Sequence, residues 1–300
     1  MKVFIIILIL IRAPLLSAQP SLTGHTRVLL SDPDRNNREI PLEVFYPSDT
    51  FGIHVKVSDS PFRSHPVVCF AHGYIMKPEA YKNIVEMLVP EGFIVVFPDT
   101  ETEMFPSHTE FALDIRFISR HFPLLNIDSA SIFHERIDTS LALMGHSMGG
   151  GCAVLAAENN PEVDALVTLS ALETKPSAIS SSANIYIPSL VIAGSRDRVT
   201  RPEKHQLPMY RNLKSKEKTF INITGGSHCQ MAMHDRRCRF GELSLFNNPG
   251  IDRETQHRIL EKYLVPWLRF QLMGDKDSGR LFNEGANDPE IEFIQPYLNP

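Results

Sequence analysis

Two rhythms of apolar and polar residues divide this 300-residue chain. Near its start, TRVLLSD (26–32) and IPLEVFYP (40–47) read as two strands joined by the polar turn DPDRNNRE, and FGIHVKVSDSPFRSHP is a looser connector. From residue 66 the pattern changes. PVVCFAHG (66–73), FIVVFPDT (93–100), SLALMGHS (140–147), ALVTLSAL (165–172), PSLVIAGSRD (188–197) and TFINITGGSH (219–228) are apolar runs with little polar alternation. Between and after them lie helical patterns: KPEAYKNIVEMLVPEG with Tyr81, Ile84, Val85 and Leu88 on one face, HTEFALDIRFISRHF, GGGCAVLAAENN, EKHQLPMYRNL and ETQHRILEKYLVPWLRFQLMG. Unbroken apolar runs are what strands look like when helices cover both faces, so the alternation predicts a mostly parallel sheet in one α/β domain spanning residues 19–274. Residues 275–300, rich in Asn, Pro, Asp and Glu, are expected to form a loosely packed C-terminal tail.

Composition narrows the partners. The net charge of −5 leaves no basic surface for nucleic acid. The first 18 residues carry a cation at Lys2, an apolar run from Val3 to Ile11 and small residues at Ser17 and Ala18, the form of a cleavable signal peptide too short to remain as a spanning helix. A secreted or periplasmic protein, a monomer with no stable membrane insertion after cleavage, is the corresponding expectation. Export permits disulfides. Cys69, Cys152, Cys229 and Cys238 allow three pairings; local spacing favours Cys229 with Cys238, while Cys69 in a strand and Cys152 in a small-residue helix read as buried thiols. No CxxC or HxxxH spacing suggests a metal.

The chemistry centres on Gly145-His146-Ser147-Met148-Gly149. This G-x-S-x-G follows an apolar strand and opens a small-residue helix, where a sharp turn lifts a serine hydroxyl out of the core. Such a hydroxyl needs a base and an acid that orients the base, in the chain order serine, acid, histidine. Asp197 closes one strand-like run and His228 the next, both at the carboxyl end of the sheet, where open α/β sheets bind ligands. Asp164 lies at the entry of its strand, the wrong end, and Glu173 is a competing acid at a strand exit. The two donors for a tetrahedral oxyanion are then the backbone N–H groups of Met148 and of Tyr74, the latter in the loop after AHG.

With AHGYIM, VPEGFIVVFPDTE, GHSMGGGCAVLAAE, SLVIAGSRDRVT and GGSHCQMA in this order, the chain from about Arg27 to Gly274 resembles the α/β-hydrolase superfamily. Within it, the resemblance is to the branch of secreted cutinases, polyester hydrolases, chlorophyllases and dienelactone-hydrolase-like esterases. It implies ester hydrolysis through an acyl-enzyme without metal or organic cofactor, with Ser147, Asp197 and His228 as triad and Tyr74 and Met148 as oxyanion hole. Polyester-degrading members usually place a tryptophan after the strand that follows the nucleophile helix; here that exit reads LSALET, and the single tryptophan, Trp267, lies in the last long helix, where packing is its expected role. No long insertion separates Leu172 from Pro188, so no large lid is expected and the substrates implied are short- to medium-chain or solvent-exposed esters. The competing readings are a lipase or thioesterase acting on another acyl donor and a non-catalytic binding module on the same fold.

Overall fold

The computed structural model describes residues 22–59, 62–245 and 248–296, so the signal-peptide expectation for residues 1–18 lies outside it. In chain order the elements are β1 (Leu22–Asp32), β2 (Arg38–Ser48), β3 (Gly52–Ile53), β4 (His65–Ala71), α1 (Lys82–Leu88), β5 (Ile94–Pro98), α2 (His108–His121), β6 (Ile137–His146), α3 (Met148–Ala157), β7 (Ala165–Leu169), α4 (Ala178–Ser181), β8 (Ser189–Gly194), α5 (Gln206–Asn212), β9 (Lys218–Ile223), α6 (Arg236–Ser244), α7 (Arg253–Met273), α8 (Lys276–Glu284) and β10 (Ile291–Ile294). They build one sheet in the order β10-β9-β8-β7-β6-β4-β5-β2-β1-β3. The strands from β9 to β5 run parallel, and β2 and β10 add to either side antiparallel. This is the α/β-hydrolase fold expected from the sequence.

The apolar runs divide by period two between the faces. Val67, Cys69 and Ala71 of β4 and Leu141 and Leu143 of β6 join a core beneath α2, α3, α4 and α5, which includes Phe111, Cys152 and Met209. Val68, Phe70, Ala142 and Met144 face the opposite core, with Ile84 and Leu88 of α1 and Ile259, Leu260 and Trp267 of α7. A strand covered on both sides gains from apolar side chains at every position. Cys69 and Cys152 are free and buried, and burial raises both thiols, Cys69 to about 12.

The expectation of a loose tail from residue 275 does not hold for its described part. Asp275 caps α8 and also receives Arg269, while Phe282 of α8 and Ile291 of β10 are buried. Phe282 and Phe293 pack on the Tyr263 ring, and the Tyr263 hydroxyl donates to Gly285 and Asp288. A few well-spaced apolar side chains thus hold a polar segment against α7, and β10 pairs with β9 in register Ile291 to Ile223.

Candidate active site

The turn between β6 and α3 carries Ser147 at φ 55° and ψ −120°. That left-handed φ costs a non-glycine residue on the order of 1–3 kcal/mol and persists only when neighbours over-determine it. Here the Ser147 N–H donates to Leu169 O at 3.0 Å, and its carbonyl accepts from Leu172 N at 2.8 Å and from Gly151 N at 3.2 Å. Space for the turn comes from glycine. A Cβ on Gly149 would overlap the carbonyl of Ala71 in β4, and one on Gly145 would overlap Gly149 itself. The first helical N–H groups have no partner within α3, which leaves that of Met148 at the helix start available to an anion.

Ser147, His228 and Asp197 form one hydrogen-bonded line. Ser147 Oγ lies 2.9 Å from His228 Nε2, and His228 Nδ1 lies 2.8 Å from Asp197 Oδ2. All three are buried, the serine least so at 8% exposed. Asp197 sits in the loop after β8. Its Oδ1 accepts from the backbone N–H of Val199 and Thr200, both at 2.8 Å, and Oδ2 lies 2.9 Å from the Thr200 hydroxyl. Burial would raise this carboxyl, but the facing His228, its hydrogen bond and the Thr200 donors together hold it below the ordinary value. The competing acids lie elsewhere: Asp164 Oδ2 accepts from Leu141 N at the opposite end of the sheet, and Glu173 receives the N–H of Ile179.

Sequence reasoning missed several residues that hold this line in place. The Thr200 hydroxyl also reaches Ser170 O at 2.9 Å, joining the acid's loop to the end of β7. Gln256 of α7 clasps the residue before the histidine, Oε1 accepting from Ser227 N and Nε2 donating to Ser227 O, each at 2.9 Å. Arg253, one turn earlier, donates to the carbonyls of Cys229, Ala232 and Met233. His146, the variable residue of the serine motif, is fully buried. Its Nε2 lies 3.2 Å from His228 O and its Nδ1 2.9 Å from the Tyr81 hydroxyl, which itself accepts from Gly73 N at 2.8 Å. Burial, reinforced by the neighbouring His228, pushes the His146 imidazole down to about 3, so it is neutral, with the proton on Nε2 toward the carbonyl and Nδ1 accepting from Tyr81. A signal existed for His146 alone, through its place beside Ser147.

Tyr74 lies in the loop after β4, half-exposed, with its hydroxyl donating to Met104 O at 2.7 Å. It borders a cleft of about 520 Å³ that contains Ser147 and His228 and is otherwise lined mainly by Ile75, Met76, Val199, Phe240 and neighbouring residues of α6. Cys229 and Cys238 are disulfide-bonded, which ties α6 to the residue after His228. The lining residues of the cleft include none from the segment between Leu172 and Pro188; one wall comes instead from α6, a stretch without a clear pattern in the sequence. Among the described residues no group of three or more His, Cys, Asp or Glu side chains is placed to hold a metal ion, and no helix is long and apolar enough to cross a membrane.

Residues 43–246 match the family model described as PET hydrolase-like. The chain belongs to that family. Among similar proteins are cutinase est2 of Thermobifida alba, 24% identical over 219 residues covering 72% of this chain and 69% of the relative, and cutinase 2 of Thermobifida cellulosilytica, 25% identical over 236 residues covering 78% and 79%. A bis(hydroxyethyl) terephthalate hydrolase of Streptomyces coelicolor is 26% identical over 228 residues, 75% of this chain and 60% of the relative. As a member of the PET hydrolase-like family, the protein is a carboxylic ester hydrolase.

Proposed function

We propose that the protein is a secreted serine esterase working through an acyl-enzyme. Ser147 Oγ attacks the ester carbonyl while His228 Nε2 takes its proton, and Asp197 fixes the imidazole with Nδ1 protonated and stabilises the cation formed. The N–H groups of Met148 and Tyr74 receive the oxyanion; one such donor typically contributes about 3 kcal/mol to the transition state. The tetrahedral adduct collapses as His228 returns the proton to the leaving alcohol, and water then enters by the same route to release the acid. The observation that carries this reading is the continuous line Ser147 Oγ, His228, Asp197 at 2.9 and 2.8 Å, opening into an apolar cleft.

The uncapped cleft favours short- to medium-chain or solvent-exposed esters. The relatives' names, cutinase and bis(hydroxyethyl) terephthalate hydrolase, extend the candidates to polyester chains and their fragments. Against a strong polyester preference stands the β7 exit, Leu169 to Thr174, which carries no tryptophan. Export is supported by the leader-like residues 1–18 and by the disulfide, a bond that persists in oxidising compartments.

The test is hydrolysis of p-nitrophenyl esters of increasing chain length and of an insoluble polyester film, beside Ser147→Ala. Turnover that falls with chain length and vanishes in the variant is expected. Equal turnover by both proteins would remove Ser147 as nucleophile, and full preference for the film would overturn the short-ester assignment.

A further inference from the structure

The cleft has one cationic wall. Arg236 and Arg237, the first two residues of α6, line the same cavity as Ser147, in a chain whose net charge is −5. Arg237 Nη1 donates to Ile75 O at 2.8 Å, bridging from α6 to the loop beside Tyr74. A guanidinium has five donors in a planar fork, so one such bond leaves most of it free for a ligand. Among the described residues neither arginine has a carboxylate in ion-pair contact. The nearest acid in sequence, Asp235, uses Oδ1 to cap α6 through the N–H groups of Arg237 and Cys238. Glu242 is buried and receives Cys229 N, and Arg239 contacts His234.

Solvated arginines are common on surfaces. These two differ in sharing a cavity with the nucleophile and in standing on a helix start held in place by the Asp235 cap and by the disulfide from Cys238 to the residue beside His228, with Arg237 itself anchored by its bond to Ile75. The other named lining groups, Tyr74, Met76, Val199 and Phe240, offer apolar surface but no competing charge. An apolar cleft with two arginines in its lining that lack a carboxylate partner is complementary to a short hydrocarbon or aryl unit that carries a carboxylate.

We propose that Arg236 and Arg237 are specificity-determining residues that direct the enzyme toward esters bearing a free carboxylate, such as half-esters of dicarboxylic acids. The proposal rests on the serine-esterase reading and deepens it. Hydrolysis of a half-ester uses one water, breaks the acyl C–O bond and releases an alcohol, a dicarboxylate and a proton. A half-ester is what remains once one ester of a diester has been cut, so a reaction of that class supplies this substrate.

The test uses two matched ester pairs, so that the carboxylate is presented on either side of the scissile bond. One pair is 4-nitrophenyl hydrogen glutarate and its methyl-capped diester; the other is 4-carboxyphenyl butyrate and 4-carbamoylphenyl butyrate. Each kcat/KM is divided by the hydroxide-catalysed rate of the same ester. The expected result is a preference of about fivefold to tenfold for the charged member of at least one pair, carried by KM, as befits charge pairing at a partly solvated site. The preference should shrink in about 1 M salt, where charges are screened beyond about 3 Å. It should disappear in the double variant Arg236→Gln/Arg237→Gln and return in part in Arg236→Lys/Arg237→Lys. A ratio near one in both pairs, or a preference that survives the double glutamine variant, overturns the assignment while leaving the serine mechanism intact. No turnover of any of the four esters would remove both readings together.

Discussion

The carboxamide variant Asp197→Asn has a direction fixed by the hydrogen bonds around residue 197. Two backbone N–H groups, of Val199 and Thr200, point at Oδ1 from 2.8 Å, so an asparagine must place its carbonyl oxygen there and its NH2 where Oδ2 now faces His228. In that pose the NH2 can donate to His228 Nδ1 and to the Thr200 hydroxyl, whose own proton is accepted by Ser170 O. Every group is satisfied, but the imidazole is forced into the opposite tautomer, with its proton on Nε2 facing Ser147 and no lone pair left to act as base. In a serine protease the same substitution lowers kcat about 10⁴-fold, equivalent to about 5.5 kcal/mol. The assay is kcat on p-nitrophenyl butyrate at neutral pH, beside a thermal melt. The expected outcome is a loss of about four orders of magnitude with a melting temperature within a few degrees of the parent. Activity within tenfold of the parent in a folded variant would refute the claim that Asp197 sets the tautomer of His228.

Other positions give separate checks. His146 is neutral in the folded protein down to about pH 3 but binds a proton near 6.5 when unfolded, so its contribution is complete above pH 6.5 and is lost progressively as pH falls toward 3. Urea melts between pH 4.5 and 6 should show His146→Gln losing up to about 1.4 kcal/mol per pH unit of acid sensitivity; identical slopes would count against the depressed imidazole. The Cys229–Cys238 bridge closes a short loop, with a sequence separation of 9, for which chain entropy gives about 2.5 to 3 kcal/mol. Cys238→Ser should therefore lower the melting temperature, with faster hydrogen exchange confined to α6 and the loop after His228; protection unchanged in α6 would show that the bridge does not hold it. Trp267 is buried between α7 and the sheet, and Trp267→Ala should destabilise the fold by about 3 to 5 kcal/mol while leaving KM of any surviving folded enzyme unaltered, as read from denaturant midpoints and kinetics together. A loss below 1 kcal/mol would place the ring outside the load of the core.

The parallel strands were legible because burial on both faces leaves no room for polar alternation, so β4, β5 and β6 stand out as PVVCFA, IVVFP and LALMGH. The sharp turn at Ser147 was legible for a related reason: only glycine fits where the turn meets β4. Thr200 was not, since a threonine three residues after an aspartate is ordinary loop chemistry until the fold brings Ser170 O to its hydroxyl. Gln256 reads as one polar residue at a helix start, and its clasp on Ser227 exists only because α7 passes under that loop. The segment RRCRFGELS has no sustained apolar periodicity, and its helix owes its place to the Asp235 cap and the disulfide. The tail misled through its composition, because Phe282, Ile291 and Phe293 are spaced widely among polar residues and meet only in three dimensions.

The pairing of β10 with β9 also bears on solubility. An uncovered strand rim is a template on which a second molecule can add its own strand. Residues 291–294 occupy that rim along Phe220–Ile223, and at the far side of the sheet the outermost strand, β3, is only two residues long. Removing 276–296 would uncover a row of unmet amide groups beside Phe220 and Ile221, inviting intermolecular strand addition and precipitation in a protein whose reaction centre is untouched.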